Sequence, residues 1–261
     1  MSEHSTDRAK DDSERDNERT RGSIVWSRRR LLQATGAATA TGITARTATA
    51  QSDSESTATG TTVYVGANDN KLYAVDAESG DQQWAFGTGD WVRSSPTAVG
   101  GTVYVGSDNG SLYAVDAETG DQQWAFETGG RVESSPSVVD GTVYVGSRDK
   151  SLYAVDAESG DKQWAFDTGD GIGSSPTVVD GTVYIGNTEQ SSDDNSLYAV
   201  DAETGDQQWA ISTDGEVESS PTVVDGTVYV GKAIASFSGG GSLYAVDAET
   251  GDQQWVFDTG A

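Results

Sequence analysis

The sequence contains no cysteine, and its only histidine is His4. Without thiols there is no disulfide, no thiolate metal site and no lipid-bearing cysteine. A chain of this kind that leaves the cell must be held together by packing alone. With one histidine near the start, no Ser/His/Asp or Cys/His catalytic set can be assembled from the rest. No apolar run reaches the roughly 20 residues of a membrane-spanning helix. No glycine-rich phosphate cradle opens a helix, and the EF-hand pattern is missing. Basic residues are scarce too. After residue 50 there are seven against 35 acidic, a balance that opposes nucleic acid and anionic membrane surfaces as partners.

Two segments differ sharply in character. Residues 1–50 are rich in Ser, Thr, Ala, Arg and acid and show no periodic apolar pattern. Arg28-Arg29 precedes a weakly apolar run and then small residues, which reads as a twin-arginine export signal. Ala48-Thr49-Ala50 fits a small-x-small cleavage site before Gln51. Residues 1–50 are therefore read as leader and signal peptide. Residues 51–61 are read as a linker carrying a degenerate first strand at Ser56 to Thr59, and 62–261 as the folded repeat region. The mature chain is expected outside the cell or associated with its surface. Its acidity resembles that of exported proteins of extreme halophiles, whose self-repulsion is relieved where the Debye length falls to about 3 Å at 1 M salt.

What is present is repetition. "TVYVG" or "TVYIG" begins at Thr62, Thr102, Thr142, Thr182 and Thr227, at spacings of 40, 40, 40 and 45 residues. "LYAVDAESGDQQW" (Leu72 to Trp84) returns at Leu112, Leu152, Leu197 and Leu243 with only Ser/Thr and Gln/Lys exchanges. A fixed period of this length decides the architecture. Each repeat reads as four short strands: "SPTVVD", "TVYVG", "SLYAVDA" and "QQWAFDTG". They are β-branched and aromatic runs broken by Gly, Asp and Asn. The fold class is all-β, about five four-stranded blades arranged radially. "DAETGD" is a tight hairpin in which Gly80, Gly120, Gly160, Gly205 and Gly251 supply the positive φ. Trp84, Trp124, Trp164, Trp209 and Trp255 are each too large to recur on a solvent face. They are expected to pack between blades, burying ~150–250 Å² each.

The stretch from Ala74 to Trp84 resembles the tryptophan-docking motif A-x-D-x-x-T/S-G-x-x-x-W of quinoprotein-type propellers, the PQQ-like repeat family. All five copies match it in one register, and the resemblance covers residues 60–261. It implies a β-propeller in which each Trp docks on the next blade. We expect the fifth blade to pack on the first; an open arc, or a ring completed by a second chain, is the alternative. WD-type blades are disfavoured because no Trp-Asp pair occurs. The chain departs from the family's dehydrogenases, which bind pyrroloquinoline quinone with Ca²⁺ at the axis. It has no cysteine for their disulfide ring and no identifiable catalytic Asp, so no catalytic residue is assigned and enzyme activity is not expected.

Near-identical repeats make their differences informative. The strand-two to strand-three loops vary ("ANDN", "SDNG", "SRDK", "NTEQSSDDN", "KAIASFSGGG"), as do the blade-to-blade connections ("GDWVRSS", "GGRVESS", "GDGIGSS", "DGEVESS"). Both sets emerge on one face of a propeller. Six of the seven basic residues after residue 50 lie there: Lys71, Arg93, Arg131, Arg148, Lys150 and Lys232. Binding sites favour loops on a rigid frame, so Trp91, Arg93, Arg131 and Glu133 are the candidate binding residues. The leading function is an exported, non-catalytic scaffold for a protein or cell-envelope partner, a monomer with no membrane span. The alternative is a site for a small anionic ligand, most naturally a quinone carboxylate held by Arg93 and Arg131. No cofactor or metal is assigned. "NDN" (68–70) and "SDNG" (107–110) offer oxygen ligands for Ca²⁺, but such residues also form turns.

Overall fold

In the computed structural model the described residues are 46–47, 61–188, 197–213, 215–232 and 241–260. All belong to one compact unit, Gln33–Ala261; the other, Met1–Leu32, lies outside the described residues. Blade 1 comprises β1 (Arg46–Thr47), β2 (Thr62–Ala67), β3 (Lys71–Asp76) and β4 (Gln82–Gly87). Blade 2 comprises β5 (Thr97–Val99), β6 (Thr102–Gly106), β7 (Ser111–Asp116) and β8 (Gln122–Glu127). Blade 3 comprises β9 (Ser137–Val139), β10 (Thr142–Gly146), β11 (Ser151–Asp156) and β12 (Lys162–Asp167). Blade 4 comprises β13 (Thr177–Val179), β14 (Thr182–Gly186), β15 (Leu197–Asp201) and β16 (Gln207–Ile211). Blade 5 comprises β17 (Thr222–Val224), β18 (Thr227–Lys232), β19 (Ser242–Asp247) and β20 (Gln253–Asp258). Each blade is a four-stranded sheet whose strands pair in chain order.

The residues explain the blade. Across β6 and β7, Tyr104 pairs with Ala114 and Gly106 with Leu112, so a large side chain meets a small one on that sheet face, while Val103 pairs with Val115 on the other. Between β7 and β8 the register shifts after Ala114, which faces Trp124, while Val115 faces Gln122. The extra residue is Gln123, a bulge that strengthens the local twist. Gln123 Oε1 accepts the Thr102 hydroxyl at 3.0 Å, tying strand four back to strand two.

The "DAETGD" turn follows the same logic in every copy. Asp116 Oδ1 accepts the amides of Glu118 (3.0 Å) and Thr119 (2.8 Å), closing an Asx-type turn. Gly120 holds φ 76°, a left-handed value that costs a residue with a Cβ. These amides hold the carboxyls of Asp76, Asp116, Asp156, Asp201 and Asp247 below the ordinary value.

Blades dock through the tryptophans. The Trp84 ring lies on Gly120, where an added Cβ would sit 2.8 Å from Trp84 Cδ2. Its indole N–H donates to the Ala117 carbonyl at 3.0 Å, and the Tyr64 hydroxyl donates to that same oxygen at 3.2 Å. Trp124, Trp164 and Trp209 repeat this on Gly160, Gly205 and Gly251, donating to Ala157, Ala202 and Ala248. Four apolar clusters result, each shared by two consecutive blades. On the inner side the Ser-Ser-Pro motif does two jobs. Ser94 Oγ bridges the Gly106 carbonyl and amide. Ser135 Oγ accepts the Ser95 amide of the preceding connection at 2.8 Å.

The degenerate first strand expected at Ser56 to Thr59 lies outside the described residues; the strand described beside β2 is β1, which pairs Arg46 with Gly66 and Thr47 with Val65. The innermost strand of blade 2 instead runs beside Thr102 to Tyr104. Contrary to expectation, the fifth blade does not pack on the first. Trp255 is 43% exposed and Phe257 61% exposed, every residue of β20 is exposed, and nothing lies within 4 Å of a Cβ placed on Gly80. The described blades form an open arc.

Candidate functional site

The variable face is built at two equivalent positions in successive repeats. The connections place Arg93, Glu133 and Gly173 at one position; the strand-two to strand-three loops place Asp108, Arg148 and Thr188 at the other. Charge alternates along both rows, and the structure joins them. Arg93 Nη1 donates to Glu133 Oε1 at 3.0 Å, and Arg93 Nε reaches Asp108 Oδ2 at 3.2 Å. Arg148 donates to Glu133 Oε2 from both Nε (2.9 Å) and Nη2 (2.7 Å), so one edge of the guanidinium converges on a single carboxylate oxygen and leaves Oε1 to Arg93. Arg148 Nη1 donates onward to the Thr188 hydroxyl. The result is a continuous ladder, Asp108–Arg93–Glu133–Arg148–Thr188. Gly173 is part of it by size: a Cβ there would lie 2.8 Å from Arg148 Nη2.

The ladder is held from beneath. Asp108 N donates to the Trp91 carbonyl at 2.8 Å, and Arg148 N to the Arg131 carbonyl at 2.8 Å. Val92, Val132 and Ile172, buried in the connections, fill the space beside Gly66, Gly106 and Gly146. Backbones carrying the candidate residues are thus fixed while their side chains are not equally buried. The Asp108 side chain is 5% exposed, and its Oδ1 has no hydrogen-bond partner. Burial pushes its carboxyl above the ordinary value, Arg93 pulling it back and Glu133 adding to the rise. Trp91 is 43% exposed, with the Arg93 guanidinium 4.8 Å from its ring centroid, a cation–π contact. Arg131, 60% exposed, stands 3.9 Å from Glu133.

The four sequence-derived candidates therefore come together, but in two roles. Arg93 and Glu133 face each other. Trp91 and Arg131 face solvent. Asp108, Arg148 and Thr188 complete the ladder and were missed. Their signal was available: a charge reversal from Arg93 to Glu133 is matched by one from Asp108 to Arg148 at a second equivalent position. The loops weighed for Ca²⁺ have other employment. Asp69 accepts the Tyr73 hydroxyl, and Asn109 bridges the Thr88 carbonyl and the Ser111 amide. Among the described residues no group of three or more His, Asp or Glu side chains could hold a metal ion. A quinone carboxylate fits poorly for the same reason, since Arg93 is already shared between Asp108 and Glu133. No helix among the described residues is long and apolar enough to cross a membrane.

Comparison with known proteins agrees with the docking geometry. No curated protein matches the chain in sequence. Among solved structures, BamB from Moraxella catarrhalis superposes with a TM-score of 0.65 at 23% identity, over 82% of this chain and 61% of that one. The computationally designed Ika8 protein superposes with 0.65 at 14% identity, over 81% and 61%. The quinohemoprotein alcohol dehydrogenase ADHIIG from Pseudomonas putida HK5 gives 0.55 at 25% identity, over 64% of this chain and 34% of that one. The chain thus spans less than two thirds of each of these structures. The family profile described as "Outer membrane protein assembly factor BamB" matches residues 15–150, 72–189 and 148–261. With five tryptophan-docking repeats in one register, the chain belongs to this BamB-type family of PQQ-like β-propeller repeat proteins.

Proposed function

We propose that this chain is an exported, non-catalytic propeller scaffold that binds a protein partner of the cell envelope through its variable-loop face. Residues 1–50 act as a twin-arginine leader whose removal would take β1 (Arg46–Thr47) from blade 1, and 51–61 link it to the blades. One observation carries the binding role. On an acidic molecule, Trp91 and Arg131 stand exposed above a self-neutralised ladder that fixes their backbones. Trp and Arg are the residue types most enriched where binding energy concentrates. A preorganised aromatic anchor also loses little conformational entropy on binding. The family description and the BamB neighbour support an interaction role in the envelope.

The test is site-specific photocrosslinking in cell envelopes. A photoreactive residue at position 91 or 131 is expected to give one discrete protein adduct, and one at Gln122 or Gln163, on strand four, none. Adducts of equal yield at all four positions, or at none, would overturn the proposal. A second reading, binding of pyrroloquinoline quinone, rests on the distant quinohemoprotein neighbours alone. Saturable quenching of Trp fluorescence by the quinone, lost in Arg93→Ala and Arg131→Ala, would support that reading over the scaffold.

A further inference from the structure

The blade-to-blade joint is made four times within the chain, and the two ends of the arc carry the two halves of a fifth. On the blade 5 end, Trp255 and Phe257 stand exposed, and Tyr229 already packs against Trp255 at 5.9 Å between ring centroids, as Tyr104 does against Trp124 at 5.8 Å. The equivalent Trp209 is 8% exposed. On the blade 1 end, Ala77 and Gly80 are exposed where Ala117 and Gly120 are partly covered. Their geometry is nonetheless that of a finished seat. Gly80 has φ 77° against 76° for Gly120, and Asp76 Oδ1 accepts the amides of Glu78 and Ser79 as Asp116 does in its own turn.

A second aromatic pair is divided in the same way. In the docked joints Phe86 meets Tyr113 edge-on at 5.3 Å, Phe126 meets Tyr153 at 5.2 Å and Phe166 meets Tyr198 at 5.5 Å. The fourth docked joint has Ile211 in place of the Phe; at a fifth joint Phe257 and Tyr73 would form the fourth such pair. The Tyr113, Tyr198 and Tyr244 hydroxyls donate to the Thr88, Thr168 and Thr213 carbonyls of the preceding blade. Tyr73 turns its hydroxyl to Asp69, as Tyr153 of a docked joint does to Asp149, so both hydroxyl arrangements are compatible with a filled joint.

We infer that two copies of this chain associate head to tail, with Trp255 and Phe257 of one seated on Gly80, Ala77 and Tyr73 of the other. The surface is heterologous, and each copy carries both halves. Two such contacts close a ring if the rotation allows it, and one leaves a chain of arcs. Closure within a single chain is disfavoured by curvature. The arc follows BamB over 82% of its own length while using 61% of that structure, so its blades are set as in a ring longer than itself. Joining its own ends would require every one of the four existing joints to tighten, against close-packed interfaces that resist such strain. The association replaces the monomer expected from the sequence. It is apolar in origin and opposed by like charge on both copies, so salt strengthens it.

The test is sedentation of the full chain by analytical ultracentrifugation in low salt and in about 1 M KCl, where the Debye length is about 3 Å. Twice the single-chain mass or more is expected in high salt, falling toward one in low salt. Trp255→Ala with Phe257→Glu breaks one half; Gly80→Ala, or Tyr73→Glu should Gly80→Ala fold poorly, breaks the other. Each variant alone is expected to remain single. An equal mixture of the two is expected to regain a two-chain species, because one intact half of each kind is then present. Wild-type chain that stays single in high salt would overturn the inference, as would assemblies that survive in both variants or a mixture that does not recover.

Discussion

Blades 2 and 5 contain the same "TVYVG" strand, yet they bury it differently. All five residues of β6 are buried, as are those of β10 and β14. In β18 and β2 burial is interrupted. The sequence of the strand is therefore not what buries it. Blades 2 to 4 have a docked neighbour on each side, whereas blades 1 and 5 have one each among the described residues. In a repeat array, stability divides into what a repeat supplies and what its interfaces supply. The middle and terminal blades separate these two contributions within one molecule.

The largest expected difference lies in the tryptophans. Trp124→Ala empties a joint and removes the indole bond to Ala157, a loss of about 3–5 kcal/mol. Trp255→Ala, in dilute low-salt solution where chains are single, removes a half-exposed ring and should cost below about 1 kcal/mol. Urea unfolding of both variants checks this, and equal losses would mean that β20 is covered. Glycine gives a smaller contrast. Gly160→Ala and Gly80→Ala share the strain of a positive φ, about 1 kcal/mol. Only Gly160 has a tryptophan over it, 2.8 Å from the new Cβ, so its variant should lose a further ~1–3 kcal/mol by overpacking. Similar losses at both would remove the case for an empty seat.

Much of this frame was legible because it is written five times. The period, the four strands, the "DAETGD" turn and the tryptophan spacing all follow from local pattern, and a clash-free repeat admits few arrangements. Ring closure was not legible. It depends on the angle between blades, a property of whole packed joints, and the four tryptophans seat alike on their glycines, so no single residue encodes that angle. The variable face was half legible. Trp91, Arg93, Arg131 and Glu133 stood out by differing from their equivalents, but a single-position comparison cannot show that Arg93 and Glu133 answer each other. That required the second row, Asp108 and Arg148, to be seen beside them.

The ladder offers a contrast between blades joined by charge and blades joined by packing alone. Glu133→Gln leaves Arg93 and Arg148 facing an uncharged amide. With Glu133 largely buried but both arginines a third exposed, the loss should be about 1–2 kcal/mol after solvent screening. It should also shrink in molar salt, whereas the Trp124→Ala loss should not. A Glu133→Gln loss indifferent to salt would assign the residue a packing role only.

The smallest effects separate turn from ladder by sign. The turn aspartates, Asp116 among them, have folded-state values below the ordinary one because amides donate to their carboxylates. Their contribution is fully present above the unfolded carboxylate value and is lost as pH falls through the lowered one. Asp108 runs the other way. Burial raises it, so its neutral form is favoured in the folded chain. Its contribution is present below the unfolded value and lost as pH rises through the raised one. Against the parent, Asp116→Asn should therefore be most destabilised near neutral pH and converge with it in acid. Asp108→Asn should shift in the opposite sense, its stability relative to the parent improving as pH rises. Unfolding free energies of the three proteins from mildly acidic to neutral pH decide it. Slopes of the same sign for both variants would mean that Arg93 favours the Asp108 carboxylate by more than burial disfavours it, and a flat profile for Asp108→Asn that the carboxyl is solvated.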